Sequence, residues 1–251
     1  MFALIVRKLV RMFGLVSGLP FRLRKPLIST PEKTAHRDWE KELSEAFNHN
    51  GMRILEVGSR NVGGRPLRGL FSNADYVGFD YHSGDNVDLV GDAHKLSSYF
   101  EAGEKFDLIF CSAVFEHLAM PWRVAEEFSK LLRVGGRVFV ETHFSFSAHE
   151  RPWNFFQFSE NGLEVLFNTE LGFRTLDKGM CNPINGFFDS RSSKYLRYRP
   201  VTELYCHSSI YVEKDSEPVK FDWRSLDVHK LTATKYPLPE EVQRSPFAKY
   251  V

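Results

Sequence analysis

A chain of 251 residues, 43% apolar and 26% charged, is long enough for one large domain or one domain with arms, and excludes a disordered or collagen-like polymer. Its 33 basic and 32 acidic residues sum to +1, which gives no whole-chain signal for a nucleic-acid partner. The charge is unevenly placed: residues 1–25 hold Arg7, Lys8, Arg11, Arg22, Arg24 and Lys25 and no acid, so the other 226 residues carry −5.

The first predicted element is a basic amphipathic helix over residues 2–16. Arg7, Lys8 and Arg11 fall on one side of a helical wheel, and Phe2, Ile5, Val6, Leu9, Met12, Phe13 and Val16 on the other. Leu4 and Leu15 interrupt the polar face, and Gly14 and Gly18-Leu19-Pro20 end the element. Such a helix suits peripheral contact with a membrane surface, or packing on the body or on a second subunit. Its apolar run is broken by charges, so neither an ordinary transmembrane helix nor a secretory signal is expected. Cys111, Cys181 and Cys206 are odd in number and widely spaced, which suggests neither a disulfide framework nor a CxxC zinc pattern. A reducing, cytoplasmic setting follows, with or without peripheral membrane contact.

Residues 21–30 read as a linker. Thr30-Pro31 predicts a helix start, with Trp39, Leu43, Ala46 and Phe47 at helical spacing and an end at Asn48 to Gly51. From Arg53 strands and helices alternate. Ile54–Val57, Tyr76–Asp80, Val87–Val90, Phe106–Phe110 and Arg137–Thr142 read as strands. Residues 121–132 and Glu160–Asn168 read as helices, and Phe173–Leu176 and Leu204–Val212 as the last strands. The pattern predicts an α/β fold with a mainly parallel sheet covered on both faces. Residues 178–203 are expected to be irregular, and the tail from Lys214, with Pro218, Pro237, Pro239 and Pro246, an extended appendage. The organisation expected is an arm over 1–28, a body over 29–213 and an appendage over 214–251.

In an open parallel sheet a ligand binds outside the carboxyl ends of the strands. The segments found there are Glu56-Val57-Gly58-Ser59-Arg60, Asp80-Tyr81-His82, Gly91-Asp92-Ala93-His94 and Cys111-Ser112-Ala113-Val114-Phe115-Glu116-His117-Leu118. They meet the demands of a nucleoside ligand: a glycine for close backbone approach, a strand-terminal acid for ribose hydroxyls, and an acid with a backbone amide for an adenine edge. A dehydrogenase would need GxGxxG, and position 60 is arginine.

Over residues 50–178, in complete order, the segments ILEVGS, YVGFD, GDAHKL, FDLIFCSAVFEHL and LLRVGGRVFVET resemble the class I S-adenosylmethionine-dependent methyltransferases, in their type 11-like branch. The resemblance implies a Rossmann-like three-layer sandwich whose seven-stranded, mainly parallel sheet has one antiparallel strand, here Leu204–Val212. It implies S-adenosyl-L-methionine as cofactor, with Glu56 and Gly58 at the methionine end and Ser59 beside them. Asp80 and the adjacent Tyr81 take the ribose, Asp92 and Ala93 the adenine, and Ser112 and Ala113 the floor under the sulfonium. The family's alternating glycines are not all kept, since Arg60 and Val62 follow Gly58 and the next glycines are Gly63 and Gly64.

Methyl transfer to a hydroxyl gains from a base. His117 after the fourth strand, and His143 and His149 after the fifth, are the candidates. No acid cluster stands at metal spacing, so the expectation is a metal-independent reaction. There is no Asn-Pro-Pro-Tyr-like segment for a nucleobase amino group, and no paired cysteine for C5-pyrimidine chemistry. The acceptor expected is a small molecule, a sugar or glycan unit, or a lipid-linked molecule, with no nucleic acid. The alternatives are an inactive binding protein on the same fold, or an RNA-modifying enzyme.

Overall fold

The computed structural model describes Leu9, residues 28–64 and residues 66–227. The amphipathic helix expected over 2–16 lies, apart from Leu9, outside the described residues, as do the last three prolines of the tail.

Five strands run parallel: β1 (Arg53–Val57), β2 (Asp75–Asp80), β3 (Leu89–Val90), β4 (Phe106–Ser112) and β5 (Leu132–His143). β6 (Phe173–Pro183) and β9 (Tyr205–Lys214) complete a seven-stranded sheet in the order β3-β2-β1-β4-β5-β9-β6. β9 is antiparallel to both neighbours, as the resemblance implied for this segment. A hairpin of β7 (Gly186–Phe187) and β8 (Pro200–Val201) lies apart from the sheet.

The sheet is apolar on both faces because successive side chains alternate across it. Leu55, Val57, Ile109, Cys111, Val138 and Val140 pack on one face with α2 (Pro121–Leu131) and α3 (Glu160–Leu166). Ile54, Leu108, Phe110 and Phe139 pack on the other against Trp39, Leu43 and Phe47 of α1 (Trp39–Phe47). Trp39 stacks on Phe139 at 4.9 Å between centroids. The result is a three-layer α/β sandwich whose loops after β1–β5 share one edge.

Three expectations are corrected. The helix expected to start at Thr30-Pro31 begins at Trp39. Residues 32–34 instead donate their backbone N–H groups to the Asp177 carboxylate on β6, at 2.8 to 3.2 Å, and Thr34 Oγ1 donates to it at 3.1 Å. That tertiary anchor outweighs the local cap signal. The irregular stretch expected from 178 is strand as far as Pro183, because β6 follows β9 in register to Tyr205. Lys214, which the sequence assigns to the extended tail, is instead the last residue of β9 and fully buried, and Phe221 and Trp223 beyond it lie against the core.

Replacing Asp177 with Ala is expected to free the segment before α1. It strands the buried Thr34 amide, at about 1–3 kcal/mol. Hydrogen exchange at residues 32–34 should accelerate markedly while β1 and β4 stay protected.

Candidate functional site

The loops after the parallel strands are tied to one another at the carboxyl edge. Gly58 N–H and Ser59 N–H both donate to Phe79 O, at 2.8 and 3.1 Å. Gly58 has φ +88°, and a Cβ there would run into Val114 of the loop after β4. Glycine therefore lets the two loops close on each other. Asp80, at the end of β2, accepts Arg60 N–H at 3.1 Å on one oxygen and His82 N–H at 2.9 Å on the other. Gly91 N–H donates to Asp80 O at 2.9 Å, which joins the loop after β3. Tyr81 is exposed beside Asp80.

Asp92 caps the turn that begins at Ala93 by accepting His94 N–H at 2.9 Å. Met120 N–H donates to His94 Nε2 at 3.1 Å, which leaves the ring proton on Nδ1, 2.7 Å from Asp92 Oδ1. One histidine thus joins the loop after β3 to the entry of α2. Ser112 Oγ donates to Glu141 Oε1 at 3.3 Å, and Ala113, at φ +55°, donates its N–H to Glu141 O at 2.9 Å. Ser112 and Ala113 therefore tie the turn that ends β4 to Glu141 of the neighbouring β5.

Glu56 is buried, and its contacts are with Tyr76 OH and with Asn86 Nδ2 at 3.0 Å. Asn86 Nδ2 also donates to Ser59 O at 2.9 Å, so Glu56 braces the loop after β1 from beneath. Burial pushes its carboxyl up to about 7, against the pull of Asn86 and Arg68.

On the other side of the Ser112 turn lie the three histidines singled out in the sequence. They converge on Glu116, which the sequence reading did not select. His143 Nδ1 is 2.6 Å from Glu116 Oε1, and His117 Nε2 and His149 Nε2 are each 4.0 Å from it. Glu116 Oε2 accepts from Thr142 Oγ1 at 2.6 Å. Burial raises the Glu116 carboxyl, but His143 and Thr142 outweigh it and hold it below its ordinary value. A second cluster adjoins. His36 Nδ1 is 2.9 Å from buried Glu141 Oε2, and His36 stacks on His207 at 4.2 Å. The hydrogen bond to Glu141 raises the His36 pKa, and burial lowers that of His207. His36 and His207 come from segments far apart in sequence, and no spacing signal joins them. Trp153, Phe146, Phe155 and Phe156 are exposed around the histidines.

The first group of loops suits a ligand that presents both hydroxyl donors and acceptors. Each Asp80 oxygen accepts one backbone N–H and keeps further lone-pair capacity. Arg60 Nε is buried without a hydrogen-bond partner among the described residues, 3.7 Å from Asp80 Oδ1. An orphaned donor above a carboxylate with spare lone pairs fits the sugar of a nucleoside cofactor.

A family described as "Methyltransferase domain" matches residues 32–174. Among curated proteins, a tRNA U34 carboxymethyltransferase from Campylobacter hominis is 29% identical over 134 residues, which is 51% of this chain and 42% of that protein. The chain thus spans less than half the length of this curated relative. Among solved structures, a putative methyltransferase from Bacillus halodurans has a TM-score of 0.49 at 15% identity, covering 70% of this chain and 99% of that one. The Burkholderia thailandensis 1,6-didemethyltoxoflavin-N1-methyltransferase, solved with 1,6-didemethyltoxoflavin and S-adenosylhomocysteine, has a TM-score of 0.49 at 13% identity. That match covers 70% of this chain and 76% of that one.

Proposed function

The chain belongs to the methyltransferase-domain family, and on that premise we propose that it transfers a methyl group from S-adenosyl-L-methionine to an oxygen or nitrogen of a small-molecule, sugar or glycan, or lipid-linked acceptor. The observation that carries this reading is the joined set of loops after β1, β2 and β3, with Gly58, Asp80 and Asp92 at one sheet edge. The cofactor supplies an electrophilic methyl group on a sulfonium. Gly58 and Ser59, whose N–H groups are held by Phe79 O, shape the wall at its amino-acid end. The Asp80 carboxylate, with Tyr81 beside it, accepts the ribose hydroxyls. Asp92 and the Ala93 amide face the base, and Ser112 and Ala113 form the floor below the reacting centre. Most of the rate then comes from holding the acceptor in line and dry. His117, His143 and His149 stand on the acceptor side, with exposed Trp153 and Phe146 near them.

Cofactor binding measured by calorimetry tests the reading. Asp80→Ala should weaken S-adenosyl-L-methionine about 10- to 100-fold, as expected for losing hydrogen bonds to a charged acceptor worth about 1.5–3 kcal/mol. Asp80→Asn, which keeps one carbonyl oxygen, should fall between. An undiminished affinity in Asp80→Ala, or no binding by the wild type at millimolar cofactor, sinks it.

The curated relative's name raises a second acceptor, RNA. Against it stands the charge of −5 on residues 26–251, which offers no broad phosphate-tracking surface. Labelled methyl incorporation into a tRNA fraction, set beside a metabolite and glycolipid extract, separates the two. Label in tRNA alone would replace the first reading by the second.

A further inference from the structure

Glu116 is fully buried, and its Oε1 has no hydrogen-bond partner among the described residues. What faces that oxygen is three imidazoles. His143 Nδ1 is 2.6 Å away, an ion-pair contact that leaves both buried atoms without a well-formed hydrogen bond. The other two rings are held in one tautomer. His117 Nδ1 lies 2.9 Å from Trp153 O, and His149 Nδ1 lies 2.9 Å from Ser147 O. A carbonyl oxygen only accepts, so both rings carry a proton on Nδ1. The Nε2 atoms of both rings lie 4.0 Å from Glu116 Oε1, and that of His117 also lies 3.8 Å from Glu150 Oε2; in the Nδ1–H tautomer each Nε2 offers a lone pair.

Imidazole lone pairs facing an anionic, desolvated oxygen repel it unless positive charge, carried by a ring proton or by a bound cation, lies between them. We propose that Glu116, His143 and His149 bind a divalent first-row transition ion, with His117 as a fourth donor beside it. The ligand atoms of Glu116, His143 and His149 lie within 4.8 Å of one another. Ligands of a tetrahedral zinc at about 2.0–2.2 Å stand roughly 3.4 Å apart; the Glu116–His143 pair at 2.6 Å must open to reach that spacing and the His149 contact at 4.0 Å must close, each by a side-chain shift of about 1 Å or less. Nitrogen donors with one carboxylate select such ions over magnesium and calcium, which take oxygen. The carbonyl-anchored Nδ1–H groups of His117 and His149 are the outer hydrogen bonds that orient a ligating imidazole.

Two neighbouring groups compete and are weaker. In His36–Glu141–His207, both Glu141 oxygens are already engaged, by His36 and Ser112, and His207 Nδ1 accepts from Asn182 Nδ2 at 2.9 Å. In His143–Cys206–His207 the same His207 nitrogen is engaged, and no carboxylate is present. The ion site lies on the acceptor side of the cleft, but it concerns ion binding alone and stands whether or not the chain transfers a methyl group.

The test is zinc titration of chelator-treated full-length protein by calorimetry, with cobalt as a spectroscopic probe. One ion per chain at micromolar affinity is expected. His143→Ala and His149→Ala should each weaken it by about tenfold or more. His149 sits on an exposed loop, so its variant tests the site even if a buried substitution fails to fold. Cys206→Ser should leave affinity and the cobalt spectrum unchanged. The proposal is overturned by no binding at millimolar zinc, or by binding that survives both histidine variants. It is equally overturned by a thiolate-to-cobalt band that Cys206→Ser removes, which would move the ion to the neighbouring group.

Discussion

Glu56→Gln is expected to flatten the pH dependence of stability between about pH 4.5 and 7 and to stabilise the protein above it. Burial between β1 and β2 holds the Glu56 carboxyl near 7, against 4.5 for an exposed one. Between those values the folded chain keeps a proton that the unfolded chain has lost. Stability is therefore fully present below about 4.5 and falls as pH rises through 7. At about 1.4 kcal/mol per pH unit, the loss is on the order of 3 kcal/mol at pH 8. Glutamine keeps an oxygen for Tyr76 OH and Asn86 Nδ2 and cannot ionise. Urea midpoints at pH 5 and pH 8 decide the matter: the wild type should drop between them and the variant should not. Parallel behaviour of the two proteins would mean that Glu56 does not titrate in this range.

Glu56 also shows where sequence pattern stops being informative. Its place at the end of an apolar strand is legible, as is the glycine turn that follows. The alternation of Ile54, Leu55 and Val57 with Leu108, Ile109 and Phe110 marks strands buried on both faces, and that alone fixes the parallel sheet and the edge where ligands gather. What Glu56 bonds to is not legible, because Tyr76 and Asn86 reach it from another strand and another loop. The Thr30-Pro31 cap failed for a related reason. A cap contributes about 1 kcal/mol, and the Asp177 carboxylate offers three backbone amides a better partner from 143 to 145 residues away.

The histidine centre was half legible. His117, His143 and His149 stand out because each follows a strand on the ligand side. Their meeting on one carboxylate oxygen depends on the loop after β5 folding back, where Phe155 N–H donates to Glu116 O at 2.8 Å. Linear spacing carries no trace of that return, so the convergence of the three rings on Glu116 could not be read from the sequence.

Lys214 carries the other large expected effect. Its ammonium is fully buried at the end of β9 and donates to Ser129 O at 2.7 Å, Leu132 O at 3.0 Å and Glu217 Oε2 at 2.7 Å. Ser129 and Leu132 are the last turn and cap of α2, where carbonyls lack helical partners and a cation is favoured. Burial lowers the Lys214 pKa, and Glu217 opposes it. The lysine therefore pins α2, β9 and the following chain together at the edge opposite the ligand site. Lys214→Ala removes three donors and the packing of the stem, at an expected 3–5 kcal/mol. Lys214→Met keeps most of the stem volume and removes only the donors, at about 1–3 kcal/mol. The difference between the two midpoints in urea separates packing from carbonyl capping. Equal losses would assign the effect to the ammonium alone, and a neutral Lys214→Met would show that water can replace it at the helix end. Cofactor affinity should hold in both variants wherever they remain folded, because none of these contacts touches the loops after β1 to β3.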